Sequence, residues 1–383
     1  MDSSSSSSLS TSPDADTPHA ASSSATAVRR ALHLVHSEDL DSKLEGAREI
    51  RRLAKTSQRC RRQLSEAVKP LVSMLRFHGS SESHESALLA LLNLAVQNEK
   101  NKISIVEAGA LEVVIDFLQS NNLNLQEYAT AALLTLSAST VNKPIISASG
   151  AIPFLVEILG KGSAQAKVDA VMALSNLSTH ANDLKIILQA NPIPSVVSLL
   201  KTCKRSSKTA EKCCSIIECL VNFEEGRTAL ISEEGGILAI VEILESGSLQ
   251  SREHALGALL TMCESDRCKY REPILREGVI PGLLELTVQG TAKSQSKAQM
   301  LLRLLRDTPF PRSELQADTI ENIVCNIISQ IDGDDQSSKA KKMLAEMVQV
   351  SMEQSLRHLQ QRALVCTPSD VPITNCNSEV SSK

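Results

Sequence analysis

Between residues 40 and 310 the apolar positions recur at helical spacing, and the same pattern returns again and again. Ser86-Ala-Leu-Leu-Ala-Leu-Leu-Asn-Leu-Ala95 is apolar on nearly every side. It matches Tyr128-Ala-Thr-Ala-Ala-Leu-Leu-Thr-Leu-Ser137, Asp169-Ala-Val-Met-Ala-Leu-Ser-Asn-Leu-Ser178 and His254-Ala-Leu-Gly-Ala-Leu-Leu-Thr-Met-Cys263. A helix with so little polar surface is buried between neighbours. Alanine at the fixed positions lets helices of adjacent units approach closely.

A second pattern lies between these helices. Glu107-Ala-Gly-Ala-Leu-Glu-Val-Val-Ile-Asp-Phe-Leu118 recurs as Ala148-Ser-Gly-Ala-Ile-Pro-Phe-Leu-Val-Glu-Ile-Leu159 and, more loosely, around Asn191, Gly235 and Gly278. A degenerate copy spans residues 66–75. The turn residues Gly109, Gly150, Asn191, Gly235 and Gly278 are spaced by 41, 41, 44 and 43. A near-constant period of this length marks a repeat array. One helix must end and another begin at once, which needs a residue tolerant of positive φ: glycine, or asparagine next. Pro153, Pro194 and Pro281 fall in the first turn of the following helix, where a missing N–H is harmless. Each unit of about 42 residues is therefore predicted to hold a short helix, a turn, a second helix, a loop and a long third helix.

The period, the E-x-G-x-[IL] turn and the A-L-x-N-L helix resemble the armadillo-repeat family over roughly residues 40–310. The resemblance implies an all-α, right-handed armadillo-repeat superhelical solenoid. Leu44-Glu-Gly-Ala-Arg-Glu-Ile-Arg-Arg-Leu-Ala-Lys-Thr56 is similar to the first repeat of plant U-box ubiquitin ligases and of their repeat-only relatives. About 40 Ser-rich residues precede that unit, too few for a U-box, so ligase activity is not expected to carry over. The expected organisation is a disordered Ser-rich tail over 1–26, six to seven repeats over 27–310, C-terminal capping helices over 311–364 and a disordered tail over 365–383. Leu344, Val348, Met352, Leu356 and Leu359 share one stripe of the last helix. It caps the array, as a terminal repeat requires, or it docks a partner or self-associates.

Composition fits the repeat reading. Apolar residues are 42% of the chain but aromatics only 2%, and tryptophan is absent, so an aliphatic core of stacked helices is expected rather than an aromatic-lined pocket. The absence of tryptophan also excludes the Trp/Asn mechanism of α-type nuclear-import receptors. A net charge of −4 supplies no field for nucleic acid. No apolar run is long enough to span a bilayer. Ten cysteines include no C-x-x-C pair, which argues against zinc and for reduced core thiols in a cytosolic or nuclear protein. No phosphate-binding glycine loop, nucleophile elbow or metalloprotease motif is present, so neither enzyme nor cofactor is expected. The basic loop 201–208 reads as solvated, with a weak nuclear signal or phosphosite as the sharper alternative.

The functional surface follows from the architecture. In the armadillo family the third helices line a concave groove, and an asparagine on each often bonds the backbone of an extended peptide, since an amide both donates and accepts. The matching positions are Asn93, Thr135, Asn176, Asn222, Thr261 and Arg303, with Arg52 in the first unit. Residues four and seven earlier share that face and add Arg48, Tyr128, Asp169, Met172, Glu218 and His254. The groove is expected to be basic at its N-terminal end and acidic or neutral in the middle. His254 reads most simply as a solvated surface histidine. The implied function is a non-catalytic scaffold for a protein or peptide partner, with plant signalling as one setting. The alternative is an accessory, substrate-recruiting component of ubiquitination.

Overall fold

The computed structural model describes residues 18–306, except 78 and 180. The expected capping helices and C-terminal tail lie outside the described residues, as do residues 1–17 of the N-terminal tail.

Every regular element among the described residues is helical. An incomplete leading unit holds α1 (Pro18–Val35) and α2 (Leu40–Thr56). Complete units follow. The first is α3 (Gln58–Gln63), α4 (Val68–Arg76) and α5 (Ser81–Ala95), with a 3-10 turn over Ser65–Ala67. Next come α6 (Glu99–Glu107), α7 (Ala110–Leu118) and α8 (Leu123–Ser137), then α9 (Lys143–Ala148), α10 (Ala151–Lys161) and α11 (Ala164–Leu177). The fourth is α12 (Ala181–Gln189), α13 (Ile193–Thr202) and α14 (Lys208–Leu220). The array continues through α15 (Glu224–Ser232), α16 (Gly236–Ser246) and α17 (Leu249–Ser265) to α18 (Arg267–Arg276), α19 (Ile280–Gln289) and α20 (Ala292–Leu305).

Local chemistry sets these boundaries. Gly109, Gly150, Gly235 and Gly278 have φ of 80°, 81°, 64° and 75°, and Asn191 has φ of 50°. All five turn residues are thus left-handed, the region other side chains avoid. Each third helix opens on a side chain that accepts from a first-turn amide: Asp39, Ser80, Asn122, Ser163, Ser207, Ser248 and Thr291. These caps satisfy donors that have no partner within the helix. The turn glycine can be tested by itself at Gly150, where an added Cβ would meet nothing within 4 Å. Gly150→Ala then carries backbone strain alone, and chemical denaturation should show a loss of about 1–2 kcal/mol. Gly150→Asn should lose less, as Asn191 indicates; equal losses would mean that strain is not the cause.

The units stack in layers. The third helices α2, α5, α8, α11, α14, α17 and α20 pack in succession, and so do the second helices α4, α7, α10, α13, α16 and α19. Between them runs one continuous aliphatic core from Val28 to Leu305, in which Tyr270 is the largest fully buried side chain. Helix α1 reaches back to Pro18, into the stretch expected to be disordered. Val28, Ala31 and Val35 explain the order near its C-terminal end, since all are buried. Gly46 allows α2 to approach so closely that a Cβ there would lie 2.7 Å from the Val35 nitrogen.

Candidate functional site

The third-helix layer presents the residues singled out from the sequence, but it uses them unevenly. Asn93 Nδ2 donates to the Arg51 carbonyl at 2.9 Å, in the previous third helix. Asn176 Nδ2 repeats the contact at an equivalent register, reaching the Leu134 carbonyl at 3.4 Å and Ser137 Oγ at 3.1 Å. These two amides tie adjacent third helices from equivalent positions. The other members of the row do not. Asn222 Nδ2 turns back onto the Glu218 and Cys219 carbonyls of the helix before it at 3.0 Å. Thr135 Oγ1 donates to Ala131 of its own helix at 2.9 Å and lines a small apolar void with Leu88, Leu91 and Leu136. Thr261 is half-buried, and Arg303 is exposed beside Gln299 and Arg306 in an open cleft at the end of the described array.

The N-terminal end is less basic than the sequence suggests. Arg48 pairs with Glu82 of α5, and Arg52 holds Glu49 at 2.6 Å. The Arg52 hydrogen bond draws the Glu49 carboxyl below its ordinary range and outweighs burial. Register explains the difference: the exposed rows of α2 and α5 lie side by side, and Glu49 is one turn from Arg52. Such exposed pairs add about 0–1 kcal/mol each, so they cancel charge more than they hold the fold.

In the middle, Tyr128 and Met172 are partly buried against the core. Asp169 is buried and accepts from Gln165 Nε2 at 2.9 Å. Burial raises its pKa, the Gln165 bond opposes this, and the negative Glu127 adds to the rise. Asp169 and Glu127 are the carboxyl groups that meet in that stretch.

His254 departs from its expected solvated state. Its Nδ1 lies 2.6 Å from Glu218 Oε2, and Lys297 Nζ is 3.2 Å from Glu218 Oε1. Burial would raise the Glu218 pKa, but the His254 bond and the Lys297 charge overcome it, so the net shift is downward. A lowered carboxyl stabilises the fold above its unfolded pKa of about 4.3 and loses that contribution as pH falls through the folded value. Wild type should therefore exceed Glu218→Gln in stability near neutrality, and the gap should narrow as pH falls below the unfolded value of about 4.3 and close once it has passed the lower, folded value. Urea midpoints at several pH values check this; a gap independent of pH would contradict it.

A second polar row, missed in the sequence, lies in the first helices and the turns before them. Arg61 Nε donates to the Ala54 carbonyl at 2.8 Å, and Asn101 Nδ2 to the Leu94 and Arg61 carbonyls, both at 2.9 Å. Asn142 Nδ2 reaches Leu136 at 3.3 Å and Lys102 at 3.0 Å, and Arg227 Nη1 reaches Val221 at 2.9 Å. Each closes C-terminal carbonyls of the preceding third helix, which lack helical partners. Asn101 and Asn142 stand 41 residues apart, a spacing visible in the sequence once polar positions are compared at the repeat period. Lys201 donates to the Glu234 carbonyl of the next turn, and Arg205 pairs with Glu242 at 2.8 Å, so the basic loop is tied to its neighbouring unit.

No group of three metal-ligating side chains occurs among the described residues. Cys213, Cys214 and Cys263 are buried thiols. Burial pushes all three upward, Cys263 to about 11, leaving them protonated and unreactive at neutral pH.

Repeated three-helix units, left-handed turns and a continuous third-helix face define a protein-binding solenoid of the armadillo type. The chain belongs to the plant U-box protein ARM repeat family, whose model matches residues 27–325. It is similar to Arabidopsis thaliana U-box domain-containing protein 45, 31% identical over 242 residues, or 61% of this chain and 31% of that protein. U-box domain-containing protein 9 of the same plant is 33% identical over 279 residues, 71% of this chain and 60% of that protein. The chain thus spans less than two thirds of either relative. A crystal structure of an engineered protein shares the fold, with a TM-score of 0.63 at 21% identity over 82% of this chain and 76% of that one.

Proposed function

We propose that this protein is a non-catalytic scaffold whose third-helix face, the concave side of an armadillo solenoid, holds an extended or helical segment of a partner protein. One observation carries the reading: Asn93 and Asn176 stand at equivalent registers, each bonded through Nδ2 to the neighbouring third helix, which orients the amide. An oriented amide can still accept at its oxygen, and it reads main chain rather than side chain. Tyr128 of α8 and Met172 of α11 belong to the same layer and add apolar contact surface. A cytoplasmic or nuclear setting is part of the proposal, as is a role in plant signalling.

Proximity labelling in a plant cell tests it, comparing wild type with the Arg52→Glu, Asn93→Ala, Asn176→Ala triple variant. The expected result is loss of a small set of proteins while circular dichroism stays unchanged. An unchanged set with a folded variant would refute the groove. Family membership supports a second reading, an accessory role in ubiquitination, in which the protein recruits substrates or competes for them. Its expected signature is no autoubiquitination with E1 and E2 alone, but altered substrate modification when a U-box ligase is added.

A further inference from the structure

One arrangement in the third-helix layer has no counterpart elsewhere among the described residues. Glu218 projects from α14, His254 and Gly257 belong to α17, and Lys297 belongs to α20. One carboxylate bonds both partners, with Oε2 on His254 and Oε1 on Lys297, 79 residues away in the chain. The carboxylate also sits over Gly257: a Cβ built there would lie 1.8 Å from Glu218 Oε1 and 3.0 Å from Lys297 Nζ. Gly257 is thus the seat that admits Glu218. The Glu218, His254 and Lys297 side chains are 26%, 32% and 23% exposed, so solvent screens them less than the outer ion pairs of the layer.

The other side-chain ties among the described residues of this layer join adjacent third helices. Arg48–Glu82 links α2 to α5, Ser163 Oγ donates to Glu127 to link α11 to α8, and Lys293–Glu253 links α20 to α17. A solenoid unit ordinarily touches only its neighbours, so its joints bend independently. A contact from one unit to the next but one makes two joints depend on each other. It cannot survive unless both keep their angle.

We propose that Glu218 is a strap that locks α14, α17 and α20 into one rigid block at the C-terminal end of the described array, with Gly257 as its seat and His254 and Lys297 as its anchors. The N-terminal units, joined pairwise, retain independent joints. While closed, the strap occupies the space above Gly257, so any chain laid across α17 has to displace the carboxylate. The strap stands whether or not the third-helix face is the binding surface.

Hydrogen exchange on the full chain tests it with Glu218→Ala, Gly257→Ala and the double variant. Glu218→Ala should speed exchange in α17 and α20 by roughly tenfold and leave α2, α5 and α8 unchanged. Gly257→Ala, which forces the carboxylate out without removing a charge, should give the same pattern. In the double variant the change at Gly257 should add no further loosening, because its obstacle is gone. Glu218→Gln, which keeps the side-chain shape, secures the readout if Glu218→Ala fails to fold, and should also loosen α17 and α20. Unchanged exchange there, an even rise along the whole chain, or an equal effect of Gly257→Ala on both backgrounds would overturn the strap.

Discussion

Asn101→Ala should be among the most damaging substitutions in the chain, although Asn101 touches no face on which a partner could lie. The side chain is fully buried. Its Nδ2 serves the Arg61 and Leu94 carbonyls at 2.9 Å, and its Oδ1 accepts from Ser65 Oγ at 2.8 Å. Alanine leaves two buried carbonyls without this donor, and an unmet buried polar group costs about 1–3 kcal/mol. Ser65 keeps another acceptor at Arg62. A loss of roughly 3 kcal/mol is therefore expected, against about 1 kcal/mol for Asn93→Ala, which gives up one hydrogen bond near solvent. Urea unfolding should rank the two in that order, and hydrogen exchange should place the Asn101 damage in α5 and α6. Equal losses would show that burial does not set the scale.

Gly226→Ala is the second large effect. Gly226 is buried in α15, and a Cβ there would lie 2.1 Å from the Leu220 carbonyl oxygen and 2.7 Å from its carbon. Those are backbone atoms at the end of α14, so no rotamer change relieves the clash and α15 must shift. Overpacking of this kind costs typically about 1–3 kcal/mol. The upper end is expected, in spite of alanine's better helix propensity. Gly257→Ala makes the contrast, because its obstacles are side-chain tips. A thermal or urea midpoint for Gly226→Ala near that of wild type would mean that α15 is free to move.

Range of interaction separates what was legible in the sequence from what was not. The turns were legible because a left-handed residue is a local demand, and the five positions found by period all adopt it. The third helices were legible because near-complete burial leaves an apolar string with few polar breaks. Their caps were equally local, from Asp39 to Thr291 at the repeat period, yet they stand out only when polar positions are compared as the apolar ones were. The order of α1 was not legible. Its residues up to Ala27 are mostly small or polar, and the apolar stripe that begins at Val28 has meaning only with α2 beside it.

The candidate face shows the same boundary more sharply. Spacing placed Asn93, Asn176 and Asn222 in one row, but Asn222 turns back on the helix before it while the other two reach across. Spacing made Arg48 and Arg52 a basic end, and pairing with Glu82 and Glu49 cancels it. His254 read as solvated because its partner Glu218 lies 36 residues away in the chain, and the Lys297 that Glu218 also holds lies 79 residues from Glu218. By itself the sequence determined the repeat, its helices, its turns and the face they share, since each depends on contacts within a few residues or on burial repeated at a fixed period. Only the tertiary structure decided which polar groups on that face are spent on one another. That choice depends on the register of neighbouring helices, where a shift of one turn, about 5.4 Å, makes or breaks a hydrogen bond.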